Sequence, residues 1–237
     1  VLGLSVHLRR LYEPVSAPEV DESFLRRQLF ALLESLRPGE ARVRVVMTES
    51  GQTYLSIEPL KLLPRAVYEN GVRVETSELH RRQPQLKSTS FIGRSNAERK
   101  QMAQKGTFEA LLVKDGNVLE GMTSNFFYVR HAAREAPLKR GNLPYVGTAR
   151  ENILLGITRE IVLAIAREIG LEIRYQPLQH DQLETITEAF ITSSSRGVVP
   201  VIQIDQATIG EGSPGPIAKQ LMTGYEAYVL ANAEPIL

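Results

Sequence analysis

The chain lacks cysteine, and it lacks an excess of charge of either sign. None of its 237 residues is cysteine, which excludes disulfides, cysteine-ligated zinc, iron–sulfur clusters and thiol nucleophiles. The four histidines are scattered without a metal-binding spacing, so we expect no metal site. Lysine plus arginine is 28 and aspartate plus glutamate is 27, a balance that favours neither nucleic acid nor an anionic membrane as partner. No apolar run is long enough to span a bilayer, and the absence of cysteine fits the cytoplasmic location that we expect.

The composition is that of a globular protein, with 43% hydrophobic and 23% charged residues. Strands come mostly in hairpins with helices between groups of strands, which predicts an α+β fold. Helices are predicted from about Glu22 to Leu36, ended by Pro38-Gly39, from Arg94 to Lys105, and from near Pro216 with Tyr225 and Tyr228 pointing inward. The charged segment from His131 to Asn142 is predicted to be a loop. Two prolines bracket a short extended segment near residue 60, where we place a linker. The predicted organisation is a small N-terminal α/β domain over residues 1–60, a linker over 61–69 and a larger domain over 70–237. Because the chain begins at Val1 rather than at methionine, we expect a shortened or processed form.

Two side chains stand out as candidates for chemistry. Lys87 lies in Gln-Leu-Lys-Ser-Thr-Ser without an adjacent charge. A partly desolvated lysine there would have a lowered pKa and could attack a carbonyl; the alternative is a surface lysine. Glu120 ends the second strand of a predicted hairpin over 110–120 and precedes a glycine. It is either an inward carboxylate or a strand-end carboxylate that faces water.

Two further segments could bind an anion, and one arginine could bind a substrate. Thr158 is predicted to cap a helix over Thr158–Ile169, whose first N–H groups would suit a phosphate; the alternative is a plain cap. Ser193–Ser195 follow a strand that ends at Thr192, and they form either a phosphate cradle or a polar turn. Arg44 is predicted to point inward from a strand over Arg42–Thr48, as a candidate for a substrate carboxylate, with a surface arginine as the alternative.

In their order along the chain these motifs resemble the class IV, or fold type IV, pyridoxal-phosphate-dependent aminotransferase family. That family includes branched-chain aminotransferase, D-amino acid aminotransferase and 4-amino-4-deoxychorismate lyase. The resemblance covers nearly the whole chain and is carried by His7–Leu11, Lys87, Glu109–Val113, Glu120–Phe126, Gly156–Arg159, Phe190–Ser195 and Pro200–Val201.

The resemblance implies a pyridoxal 5′-phosphate site with defined roles. Lys87 would form the internal Schiff base and act as the catalytic base and acid, and Glu120 would pair with the pyridine nitrogen and keep it protonated. Arg10 would bind the phosphate together with the N–H groups of Ile157 and Thr158 and the hydroxyl of Ser194. Leu154 would pack on the cofactor ring, and Asn125 would lie close to the site. The implied cofactor-binding residues are Arg10, Lys87, Glu120, Asn125, Leu154, Ile157, Thr158, Ser193, Ser194 and Ser195.

The resemblance also implies the architecture and the assembly. We expect a two-domain α+β fold of type IV, with a small α/β domain and a larger pseudo-barrel domain, and a homodimer or larger homo-oligomer. Strands precede the His7–Leu11 motif in the family, so we expect N-terminal strands to be missing here. Ile92 stands where branched-chain enzymes have a tyrosine, and Gly197-Val-Val replaces the usual Glu-Ile-Thr.

Three functions remain open at this level. The first is an aminotransferase that moves an amino group between an amino acid, branched-chain-like or D-configured, and a 2-oxo acid. The second is a 4-amino-4-deoxychorismate lyase that releases pyruvate with the same lysine and cofactor. The third is an inactive family scaffold that serves only in binding or dimerisation.

Overall fold

The computed structural model describes residues 1–37, 39–130 and 143–237, and of residues 92 and 103 it describes the backbone alone. The predicted loop from His131 to Asn142 therefore lies outside the described residues, as does Pro38 of the predicted helix stop. The chain divides into two units, Val1–Leu62 with Tyr228–Leu237 and Leu63–Ala227. The division falls inside the predicted linker 61–69, whereas residues 228–237, which we predicted in the larger domain, group with the first unit.

The first unit packs two helices on a hairpin. Its elements are α1 (Leu4–Tyr12), α2 (Glu22–Glu34), β1 (Ala41–Met47) and β2 (Thr53–Pro59), with the two strands antiparallel. Helix α2 begins at Glu22, as predicted. Asp21 caps this end of the helix, because its side chain accepts a hydrogen bond from Phe24 N at 2.6 Å. The buried leucines of both helices form one apolar cluster against the hairpin: Leu4, Leu8, Leu25 and Leu29.

The prediction that Arg44 points inward is wrong. Its neighbours Val43 and Val45 pack against the leucine cluster, and Arg44 between them is exposed. Side chains alternate between the two faces of a strand, so a core that takes both valines leaves the arginine on the opposite face.

The second unit contains most of the chain's elements. They are α3 (Arg65–Asn70), β3 (Val72–Ser77), α4 (Thr89–Lys105), β4 (Glu109–Lys114), β5 (Asn117–Gly121), β6 (Asn125–Arg130), β7 (Tyr145–Gly147), α5 (Ile157–Glu168), β8 (Glu172–Arg174), β9 (Leu178–Gln179), a 3₁₀ turn (His180–Thr185), β10 (Glu188–Ser193), β11 (Gly197–Ile204), β12 (Ala207–Thr208) and α6 (Pro216–Asn232), whose last residues group with the first unit. This mixture of helices with a largely antiparallel sheet confirms the predicted α+β class. Among the described residues, no helix is both long enough and apolar enough to cross a membrane.

Six strands of the second unit close into a ring. The order runs β6, β10, β11, β3, β4 and β5, and a pairing between β5 and β6 completes it. One face of the ring carries a continuous apolar core that includes Leu111, Phe126, Ile191 and Val199. Asn125, the neighbour of Phe126 on β6, therefore lies on the opposite face of the ring.

Two predicted details turned out differently. Helix α4 begins at Thr89, five residues before the predicted start at Arg94. Tyr228, predicted to point inward from the last helix, is 37% exposed, whereas Tyr225 on the same helix is buried. The second unit ends at Ala227, and Tyr228 groups with the first unit.

Candidate active site

A buried carboxylate lies at the end of β5. Glu120 is only 2% exposed, which excludes the alternative of a carboxylate facing water. Arg81 Nε donates to its Oε1 at 2.8 Å, and the backbone N–H of Leu154 donates to its Oε2 at 3.0 Å. Burial raises the pKa of Glu120 to about 7, although the Arg81 charge and the Leu154 N–H both act to lower it. The group can therefore gain or lose a proton near neutral pH.

The partner of this carboxylate, Arg81, was not among the predicted site residues. Its side chain comes from the segment between β3 and α4, and Nη2 also donates to Met122 O at 2.8 Å. The guanidinium carbon lies 4.0 Å from the centre of the Phe91 ring, within the range of a cation–π contact. The sequence signal was an arginine pair, Arg81 and Arg82, shortly before Lys87, and nothing in it showed which arginine turns inward.

Asn125 fixes the segment that leads into α5. It begins β6 directly opposite Glu120 in the strand ladder. Its Nδ2 donates to Leu154 O at 2.7 Å, and its Oδ1 accepts from Gly156 N at 3.1 Å. A Cβ on Gly156 would lie 2.3 Å from that Oδ1, so only glycine permits this close approach. Glu120 and Asn125 thus hold the same short segment, Leu154–Gly156.

Helix α5 begins beside these residues and offers N–H donors. The helix starts at Ile157 with Gly156 as N-cap, so the prediction that Thr158 is the cap is wrong; Gly156, held by Asn125, takes that position. The first intrahelical bond runs from Glu160 N to Gly156 O at 3.1 Å, which leaves the N–H groups of Ile157 and Thr158 without intrahelical acceptors. These N–H groups form the kind of positive helix end that binds phosphate.

The turn between β10 and β11 is held by charged and aromatic side chains. Arg196 Nε donates to Ser193 Oγ at 3.0 Å, and Nη2 lies 3.0 Å from Glu109 Oε2. Gly197 has a φ of +64°, and a Cβ there would meet the Tyr225 ring at 3.2 Å. Ser194, the predicted phosphate ligand, is exposed on this turn and Ser195 is half-buried.

Glu109 anchors that turn to the ring of strands. It begins β4, is 4% exposed, and accepts hydrogen bonds from Thr123 and from Ser124 Oγ, the latter at 3.1 Å. Arg196 completes the network through Thr123 Oγ1 at 2.7 Å. Glu109 and Arg196 were not predicted as site residues, because a pairing between residues so far apart in sequence leaves no local signal.

The two predicted basic residues occupy different units. Lys87 lies in the second unit, in the segment before α4, and is exposed, so the expected desolvation is not seen. Arg10 is half-buried on α1 of the first unit, and burial lowers the pKa of its guanidinium while Glu13 acts to raise it. In the described parts of the chain, no three histidine, aspartate or glutamate side chains gather in a group that could hold a metal ion.

Comparison with known proteins identifies the family. The family model of amino-transferase class IV matches residues 1–204. The chain belongs to the class IV aminotransferases. This aminotransferase is 30% identical to a D-alanine aminotransferase from Bacillus licheniformis, over 97% of this chain and 83% of the relative. It is also 30% identical, over 93% of this chain and 80% of the relative, to a Methanocaldococcus jannaschii protein assigned as a branched-chain-amino-acid aminotransferase.

The three-dimensional comparison agrees with the sequence comparison. The T.th. branched-chain amino acid aminotransferase, solved with pyridoxamine 5′-phosphate, superposes with a TM-score of 0.79 at 24% identity, over 98% of this chain and 80% of that one. The predicted type IV fold is confirmed. The aminotransferase is thus an enzyme by family, and the alternative of an inactive scaffold loses its support.

Proposed function

We propose that this enzyme binds pyridoxal 5′-phosphate beside Glu120 and transfers an amino group between an amino acid and a 2-oxo acid. The observation that carries the proposal is the buried Glu120 carboxylate, joined through Leu154 to the start of α5. A carboxylate and a helix N-terminus held by one short segment suit a ligand that has a basic ring nitrogen at one end and a phosphate at the other.

The residues present fit such a cofactor. Glu120, with a pKa near 7, can accept a hydrogen bond from a protonated ring nitrogen. The N–H groups of Ile157 and Thr158 suit a phosphate, and Gly156 allows backbone to approach closely. The bound cofactor would supply an electron sink for the carbon that loses its proton.

The proposed roles of the remaining residues follow the family resemblance. The amine of Lys87 would hold the cofactor and then move a proton at the substrate Cα. Arg81 favours the ionised form of Glu120 through its 2.8 Å contact. Leu154 would pack on the ring and Ser194 would contact the phosphate, while the roles of Arg10 and Arg44 stay predictions.

For the substrate, the relatives suggest two classes of amino donor. One relative is named for D-alanine and the other for branched-chain amino acids, so we propose a donor from one of these two classes. The homodimer and the cytoplasmic location stay predictions.

The test of the proposal is a visible absorption spectrum of the purified protein with added pyridoxal 5′-phosphate. We expect a yellow band that amino acids bleach, and we expect Lys87→Ala to lose both the band and turnover. Lys100→Ala, which removes another exposed lysine, is the matched control and should retain both. Normal turnover by Lys87→Ala would refute the assignment.

Substrate assays then separate the alternatives. D-alanine, L-leucine and L-valine are each incubated with 2-oxoglutarate, and glutamate formation identifies the donor. Pyruvate formed from 4-amino-4-deoxychorismate alone, without a 2-oxo acid, would indicate the lyase instead.

A further inference from the structure

The segment that carries Lys87 is a loop whose two ends touch. It leaves β3 at Ser77 and enters α4 at Thr89, and Lys87 is exposed close to its end. Arg81, before Lys87, and Phe91, after it, are in contact: the guanidinium carbon lies 4.0 Å from the centre of the aromatic ring. We call this contact the Arg81–Phe91 clasp. Closing a loop at its ends limits the positions that the residues between the ends can take.

A second contact closes the same loop. Arg94, on the next turn of α4, donates from Nη2 to His80 O at 3.3 Å. Its guanidinium carbon also lies 5.9 Å from the centre of the Phe91 ring, on the outer limit of a cation–π contact. The residues just before the loop are therefore joined to the first turns of α4 at two places.

The arginine of the clasp is fixed to the strand that carries Glu120. Its Nε donates to Glu120 Oε1 and its Nη2 donates to Met122 O, both at 2.8 Å. The side chain of Arg81 is 9% exposed and that of Glu120 is 3% exposed, so water screens the pair little. A planar guanidinium that donates at its edge keeps its flat face for an aromatic ring, and Arg81 uses both.

The phenylalanine of the clasp is fixed by a small apolar cluster. The buried members of this cluster are Phe91, Met102, Ala110, Leu112 and Met122. Leu112 lies directly opposite Glu120 in the β4–β5 ladder. Both halves of the clasp are therefore held against the pair of strands in which Glu120 lies.

We propose that Arg81 and Phe91 are positioning residues, which hold Lys87 at a fixed place relative to Glu120. This inference rests on the proposed function, in which Lys87 and Glu120 act on the same cofactor. The two groups come from different segments of the chain, and the clasp joins these segments directly. A reacting group that is displaced by about 1 Å can lose about 10²-fold in rate, so a contact that limits the position of the Lys87 amine has a functional consequence.

The test is a double-mutant comparison of Phe91 with Lys87. Phe91→Leu removes the aromatic ring and keeps an apolar side chain in the cluster. In the chain that has Lys87, we expect it to weaken pyridoxal 5′-phosphate binding about tenfold and to slow the appearance of the yellow band. In the Lys87→Ala background, Phe91→Leu should leave the affinity unchanged, because the clasp acts through Lys87. Equilibrium dialysis measures both affinities without needing the band.

A matched control separates positioning from packing. Met102 belongs to the same apolar cluster and is similarly buried, but it lies later on α4, outside the stretch from Arg81 to Phe91. Met102→Ala should therefore lower the Tm of the protein and leave the cofactor affinity unchanged. A loss of affinity as large as that of Phe91→Leu would show a general effect of packing and would overturn the inference.

A second variant tests the other half of the clasp and serves if Phe91→Leu does not fold. Arg81→Lys keeps a positive charge beside Glu120 but lacks the flat guanidinium. Its loss of cofactor affinity should be larger in the chain with Lys87 than in the Lys87→Ala background. Arg82→Lys changes the neighbouring exposed arginine and should bind as the wild type does.

The outcomes distinguish the inference from the function on which it rests. If Phe91→Leu and Arg81→Lys each weaken binding equally with and without Lys87, or do not weaken it at all, the inference is wrong while the proposed function stands. If the wild type itself shows no Lys87-dependent band with pyridoxal 5′-phosphate, the proposed function fails, and the inference fails with it.

Discussion

Because the pKa of Glu120 is raised in the folded chain, we expect this carboxyl group to make the cofactor-free protein less stable as pH rises. Burial raises this pKa from 4.5 to about 7 in the folded chain. In the unfolded chain the carboxyl returns to its ordinary value, so between these two pH values the folded state binds more protons than the unfolded state. The free energy of unfolding contributed by Glu120 is therefore fully present below about pH 4.5 and is lost as pH rises through about 7.

The size of the effect follows from the same numbers. A difference of about 2.5 pH units, at about 1.36 kcal/mol per unit, gives an upper value of about 3 kcal/mol. The side chain is only 3% exposed, so solvent screening reduces this value little. The pKa of about 7 already includes the Arg81 ion pair, which stabilises the charged form and lowers the pKa.

The measurement compares the wild type with Glu120→Gln, both free of cofactor, in urea unfolding followed by far-UV circular dichroism. The variant cannot titrate at this position, so the difference between the two proteins isolates the contribution of Glu120. We expect the wild type to lose stability relative to the variant from pH 5 to pH 8, with most of the change below about pH 7.5. A constant difference across this range, or a relative gain by the wild type as pH rises, would refute the reasoning.

Two further perturbations test other parts of the second unit. Gly156→Ala would place a Cβ 2.3 Å from Asn125 Oδ1, so we expect the substitution to displace the Asn125 side chain. An absorption titration should then show pyridoxal 5′-phosphate binding weakened at least tenfold. Gly93→Ala is the control and should bind the cofactor normally, because a Cβ at Gly93 meets nothing within 4 Å. Burial acts to raise the pKa of Asp205, but its hydrogen bonds with His180, at 3.0 Å, and with Thr76 outweigh burial, and the pKa is lowered overall. The stability that Asp205 contributes is therefore present above the pKa of the unfolded chain and is lost on acidification. Asp205→Asn should therefore flatten the acid limb of the unfolding curve, and an acid limb identical to that of the wild type would contradict this account.

Most of the fold's elements could be predicted because their signals are local. The β4–β5 hairpin is one example, since Asp115 and Gly116 have φ values of 50° and 73° and form the turn that their sequence favours. The ends of helices were predicted less well than their existence. Helix α4, for example, begins at Thr89, five residues before its predicted start at Arg94. The inward carboxylate of Glu120 was one of two alternatives that the glutamate–glycine pattern left open, and only the family resemblance favoured it.

The sequence by itself determined the family, the order of the motifs and the residue types that the chemistry needs, because each motif is a short segment and the order of the motifs can be read directly along the chain. The tertiary structure alone decided which charged groups pair. Arg81 reaches Glu120 and Arg196 reaches Glu109 only because the closed ring of strands brings distant segments together.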